Sequence, residues 1–306
     1  MGFVYSVYLP GLNKSVWAKE IPCSAYKDTI KSLYNKDSSS FIVHSNSLVE
    51  QIVPGILHEG LNVIDKVVLL VNARAVSVNP DLKLTANCIQ TKQSFEYTVK
   101  LDEIFDKLTN VKYFSQTSFK GIIVSHSIAK AKDELHFLNK TPEQLYTCQL
   151  ASCIDAIKTE TSALNFNDLS FENRCSIVES LPVQITTSVL KHLISVETDN
   201  IEHKLLYIKS PFTNELAVET PLSVDVNILR EFSKLVFTDD LNNIYQLSFN
   251  LISNLGFSGE YIEKMTPAEM YLYWAIHLQR VNQQKDSEQS GRTSNTSMFN
   301  GVPAQI

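Results

Sequence analysis

Apolar and polar residues alternate through FVYSVYLPGLNKSVWAKEI, in two runs either side of Pro10-Gly11-Leu12-Asn13, the pattern of a β-hairpin. The period then lengthens. Pro22-Cys23-Ser24 opens a helix to about Tyr34, a second covers about 40–57 with an interruption at Pro54-Gly55, and NVIDKVVLLVNARAV forms a third with an almost wholly apolar face. LKLTANCIQTKQSFEYTVKLDEIFDKL runs as strand, polar turn and strand, then takes up the helical period at Asp102. The same order recurs in EHKLLYIKSPFTNELAVETPL, two alternating runs about Ser210-Pro211-Phe212-Thr213-Asn214, followed by the helix SVDVNILREFSKLVF.

Between these modules, Thr141-Pro142-Glu143-Gln144 has the form of a capping box, with Leu145, Cys148, Ser152, Ile154 and Ile157 at near-helical spacing behind it. SFENRCSIVESLPVQITTSVLKHLISV gives two helices broken at Pro182. The predicted fold class is α+β, predominantly helical, with two β-hairpin-plus-helix modules and an N-terminal β-hairpin. Residues 1–130 are expected to form an N-terminal α+β module and 141–285 a mainly helical module with the second hairpin, joined where AKAKDELHFLNKTP loses periodicity. The coda 286–306 is polar with two isolated large apolar residues, too few to offset the entropy of ordering it, and is expected to be disordered.

The last helix departs from a one-sided pattern. In IEKMTPAEMYLYWAIHLQRVNQQK, Thr266, Pro267 and Glu269 supply a cap, a first-turn proline and a carboxylate three residues on. At 100° per residue Met270, Trp274, Leu278 and Val281 share a face, while Tyr271, Leu272, Tyr273 and Ile276 occupy the rest of the first turns. Such a helix is enclosed by its own protein, beneath 223–255, or turns a second apolar face to another chain. On the second alternative, Met270, Tyr271, Tyr273 and Trp274 are the candidate partner-binding anchors.

Composition narrows the chemistry. The chain has 306 residues, 44% hydrophobic and 20% charged, enough for one large domain or two modest ones. A net charge of -6 leaves no basic face for phosphates, so nucleic acid is not an expected partner. The longest apolar runs fall well short of the roughly 20 residues that span a bilayer. Five cysteines at irregular spacing, with no apolar leader before them, fit a reducing cytosol with free thiols. Met1-Gly2-Phe3-Val4-Tyr5-Ser6 matches the loose myristoylation pattern, against which stands the strand-like alternation of Phe3, Tyr5 and Val7.

No Gly-rich phosphate loop occurs, and Gly256-Phe257-Ser258-Gly259 has the form of a helix C-cap and turn rather than a nucleophile elbow. No two histidines stand at i,i+4, and none lies within three residues of a cysteine; no metal site, cofactor site or catalytic set is predicted. Cys148 and Cys153 look like buried thiols, Cys175 would need a distant base such as His192, and Asp239-Asp240 fits helix capping.

The ordered series of motifs resembles the baseplate hub assembly proteins of T-even-type, contractile-tailed bacteriophages. The resemblance rests on VYLPGLNKSVWAKEIPCSAYKDTIKSL, LNVIDKVVLLVNARAVSV, the central CIDAIKTE and DLSFENRCSIVESLPVQITTSVLKHL, DVNILREFSKLVF, and the closing helix announced by Met265, Pro267 and Glu269. It implies a non-enzymatic protein of the host cytoplasm during assembly, and of the virion tail if retained, that binds or escorts the tape-measure protein or another hub subunit. Members often carry C-x-x-C pairs at the hairpin turns, whereas this chain keeps only Cys88 in the first module and none in the second, so turn packing is expected to replace bound zinc. Three roles stay open at this point: a transient assembly factor, a permanent hub component, and an enzyme of unrecognised type using Cys175 or a carboxylate pair.

Overall fold

The computed structural model describes residues 4–296 apart from 36, 110–113, 200–203 and 223, with side chains described at all of these except 38, 195–199 and 286–296. Met1-Gly2-Phe3, which carries the lipidation pattern, and the final residues 297–306 lie outside the described residues. The chain divides into two compact units, the first comprising Met1–Ile21 and Ala25–Asp239, the second Pro22–Ser24 and Asp240–Ile306.

In the first unit, β1 (Val4–Leu9) and β2 (Lys14–Lys19) form the expected hairpin, with Val7, Leu9, Val16 and Ala18 buried on one side. Its tip approaches the start of a helix so closely that a Cβ at Gly11 would overlap the Asn62 side chain. The Gly11 and Leu12 amides each donate to a carboxylate oxygen of Asp65 at 2.9 Å. Burial lifts the Asp65 carboxyl to about 6 against these two bonds, which favour its ionised form.

Three helices follow: α1 (Cys23–Leu33), α2 (Ser38–Ile52), capped by Asp37, and α3 (Val63–Ser77), capped by Asn62 through the Asp65 amide at 2.7 Å. α3 is buried almost all round because its apolar run leaves no polar stripe. Val63, Ile64, Val67, Val68, Leu69, Leu70 and Val71 are all within its buried set, each contributing about 1.5–3 kcal/mol.

Both predicted modules are present. The first is β3 (Asp81–Asn87), β4 (Ser94–Lys100) and α4 (Leu101–Thr109). Next along the chain come β5 (Ser115–Phe119), β6 (Ile122–His126), a 3-10 segment Ala131–Phe137, α5 (Pro142–Cys153), β7 (Ile154–Lys158), β8 (Ala163–Asn165), α6 (Phe171–Ser180) and α7 (Val183–Asp199). The second module is β9 (Leu206–Lys209), β10 (Leu216–Thr220) and α8 (Val226–Val236). The module helices α4 and α8 both pack against α3, which makes that helix the centre of the unit.

The tips of the two module hairpins have matching backbones and meet. In one, the Cys88 amide donates to the Gln93 carbonyl and Lys92 donates back to Cys88 with φ 58°. In the other, Ser210 donates to Glu215 and Asn214 donates back to Ser210, again with φ 58°. The Cys88 sulfur lies 3.5 Å from the Thr213 hydroxyl, and Phe95 meets Phe212 edge-on at 6.1 Å. Hydrogen bonds from the Ser210, Thr91 and Thr213 hydroxyls hold the thiol down at about 6. The three hydroxyls of Thr91, Ser210 and Thr213 thus surround a single thiol.

Two features depart from the sequence-based expectation. First, β5, β6, β7 and β8 form a four-stranded antiparallel sheet in that order. Ile154 and Ile157, expected to continue the helix from Thr141, lie instead on β7, since a three-residue spacing serves a helix and a bulged strand alike. Second, the segment expected to join two domains is wired into the interior. Asp133 takes a bidentate pair from Arg174 at 2.7 and 2.8 Å and a bond from Ser152 Oγ at 2.8 Å, while Glu134 pairs with Lys66 and Lys130 with Asp155 at 3.2 Å. Charged residues that satisfy one another inside a protein leave no hydrophobic period, so this stretch has the composition of a linker and the burial of a core.

The second unit holds α9 (Leu241–Leu255), α10 (Gly259–Lys264) and α11 (Pro267–Thr296). α11 is helical as far as Thr296, and the remainder of the coda expected to lack order, 297–306, lies outside the described residues.

Candidate partner-binding surface

Each helix of the second unit is started by a specific residue. Asp240 caps α9 through the Asn242 amide at 2.9 Å, and Ser258 caps α10. Gly256 closes α9 in the left-handed conformation, φ 71°, its amide donating to Ile252. The expected capping box of α11 is formed, with the Thr266 amide donating to Glu269 at 2.8 Å and the Glu269 amide to the Thr266 hydroxyl at 3.1 Å. The Cys23 amide ties to the Met265 carbonyl at 2.7 Å, just before that box.

α9 and α11 pack together, and both carry more apolar residues than one buried stripe can use. On α9, Ile244, Leu247 and Leu251 are buried, while Tyr245, Phe249 and Ile252 form a second stripe at i, i+4, i+7 that is exposed, Phe249 by 63%. On α11, Met270 is buried and Trp274, stacked on His277 at 5.1 Å, is half-buried. Tyr271, Leu272, Tyr273, Ile276 and Leu278 are exposed, Leu272 by 58%. Phe257 bridges to this side, meeting Tyr261 at 5.6 Å and Tyr273 at 5.2 Å, both edge-on.

The four residues picked from the sequence therefore separate. Tyr271 and Tyr273 stand on the exposed side, whereas Met270 and Trp274 lie on the inward face with His277 and Val281. The helical angles explain this: Met270, Trp274, His277 and Val281 fall within one 60° sector, and Tyr271 and Tyr273 lie on either flank of it. Sequence reasoning passed over the stripe on α9, although the same signal was there, apolar residues in IYQLSFNLI at two helical phases.

Elsewhere, Asp65, Cys88 and His126, whose ionisation is displaced, belong to three different parts of the first unit. Asp65 lies under the first hairpin tip, Cys88 between the module tips, and His126 within the four-stranded sheet, where burial and the neighbouring His192 push it down to about 4. The Cys175 thiol has Cys148 beside it, and His192 faces His126 instead, with ring centres 5.0 Å apart. An open groove of about 350 Å³ beside α8 is walled by Pro221, Ile228, Phe232 and Leu235 with Glu219 and Glu231 at its edge, and a second cavity of about 270 Å³ lies between α5 and α6. Among the described residues no group of three or more histidine, cysteine or acidic side chains is placed to hold a metal ion, and no helix is long and apolar enough to cross a membrane.

Comparison with known proteins gives one family. Its model, described as T4 bacteriophage base plate protein, matches residues 3–214, more than two thirds of the chain. No curated protein and no solved structure matches the sequence. The matched stretch ends inside the second module's turn, so the exposed apolar residues of α9 and α11 lie beyond it.

Proposed function

The chain belongs to the T4 bacteriophage base plate protein family, and we propose that it acts in assembling the baseplate hub, holding the tape-measure protein or another hub subunit against the apolar side of α9 and α11. The observation that carries this is a set of exposed apolar residues on two packed helices, the stripe Tyr245, Phe249 and Ile252 on one and Tyr271, Leu272, Tyr273, Ile276 and Leu278 around the outer girth of the next. Scattered exposed apolar residues, such as Trp17 or Val183 in the first unit, are ordinary; a grouped set containing aromatic rings marks an interaction site. Tyrosines suit such a site because they bury large area at little rotamer cost and keep a polar tip for the rim. The role is non-catalytic: apolar surface is covered on another protein, and no bond is made or broken.

The test is co-expression of the full chain with each tail protein of the same phage, followed by affinity capture. Leu272→Ser and Ile276→Ser should each weaken capture of one tail protein by about 2 kcal/mol, roughly 30-fold in Kd, while leaving the circular dichroism spectrum and melting temperature unchanged. Met270→Ala should do the reverse, lowering the melting temperature first. Capture indifferent to both surface variants would remove the proposed role from this surface. Mass spectrometry of purified virions separates a transient assembly factor, absent from particles, from a permanent hub component.

A further inference from the structure

Cys148 stands on α5 and Cys175 on α6, two helices that pack against each other, and each thiol affects the ionisation of the other. Both line the cavity of about 270 Å³, together with Lys140, Glu143 and Glu179. Cys153, nearer to Cys148 in sequence, is buried and lines no part of it. None of the five cysteines is in a disulfide, and Cys148 and Cys175 line one and the same opening to solvent. Cys175 is the more accessible of the two, Cys148 being only 6% exposed.

We propose that Cys148 and Cys175 form a redox-responsive dithiol that a small disulfide of the glutathione type converts into a covalent bridge between α5 and α6. Cys175, having given its proton to water, attacks one sulfur of the small disulfide; that S–S bond breaks, and one small thiolate leaves with the electron pair. Cys148, likewise deprotonated, attacks the Cys175 sulfur of the mixed disulfide and expels the second small thiolate. The two protein thiols lose two electrons and two protons, and the small disulfide is reduced to two thiols. Burial raises both thiols, Cys175 to about 11, so the reduced pair persists near neutrality and the reaction quickens with pH.

The test uses the full chain, incubated with oxidised glutathione at several pH values, trapped by alkylation and mapped as peptides. The expected result is a linked pair of peptides carrying Cys148 and Cys175, forming roughly tenfold faster per pH unit between 7 and 9. Cys148→Ser should leave glutathione trapped on Cys175 as a stable adduct. Separate modification of the two cysteines in the unaltered chain, without a link, overturns the proposal, as does a link joining either to Cys153. Because the unaltered chain decides the outcome, a variant that fails to fold does not affect it. A surface role for α9 and α11 stands or falls independently of this result.

Discussion

The Arg74 guanidinium is 2% exposed, and its charge is answered by Asp239 through bonds of 2.9 and 3.1 Å and by the Asn79 carbonyl at 2.8 Å. Tyr26 donates to the same carboxylate, whose negative charge, after burial, keeps the phenol well above its ordinary pKa. Removing one partner of a buried pair strands the other, which costs more than the pair itself contributes. Asp239→Ala should therefore destabilise the chain by about 3 kcal/mol, measured as a shift in the urea midpoint with unchanged slope. Asp240→Ala, one residue on, removes only a helix cap and should cost about 1 kcal/mol. In the sequence these two acids look alike and both fit a helix start. Only Asp240 has that role, because the distant arginine that claims its neighbour is invisible to local pattern.

Local pattern served best where a few adjacent residues decide the outcome. The first hairpin, both module hairpins, the breaks near Pro54 and Pro182, and the capping boxes at Thr141 and Thr266 follow from turn and cap chemistry within four or five residues. Thr266→Ala should cost about 1 kcal/mol and raise the hydrogen-exchange rate of the amides that begin α11. The sheet of β5 to β8 was illegible for the opposite reason. β5 is the polar run SQTSF, β8 has three exposed residues, and β7 follows α5 without a turn, so pairing partners rather than sequence make them strands. The candidate surface was half legible: apolar girth marked α11, but which of its residues face outward depends on where α9 packs.

Charge and connectivity act on the molecule as a whole. His126 sits in the four-stranded sheet, its Nε2 3.2 Å from the Thr117 hydroxyl, and its pKa is depressed from 6.5 to about 4. The unfolded chain thus binds a proton that the folded chain refuses, so stability from this group is complete above pH 6.5 and is lost as pH falls toward 4. Asp65 opposes it: raised from 3.8 to about 6, it makes the fold more stable as pH falls through 6. Comparing the chain with His126→Gln isolates the histidine; the unaltered protein should lose about 1 kcal/mol per pH unit relative to the variant between pH 6.5 and 4, read from denaturation midpoints. The order of elements along the chain pointed to the phage baseplate, and the family match over residues 3–214 agrees. The compact units divide at Asp239 and Asp240, with Pro22–Ser24 belonging to the second, and no change of composition along the chain marks that division. Arg74 and Asp239 are also 165 residues apart in sequence. At about 5–20 residues per second, a ribosome takes roughly 10–30 s to deliver the acid after the arginine has been made. Throughout that interval the Arg74 cation lacks the carboxylate that answers it in the folded unit, so α3 cannot settle into its final packing until Asp239 has been made.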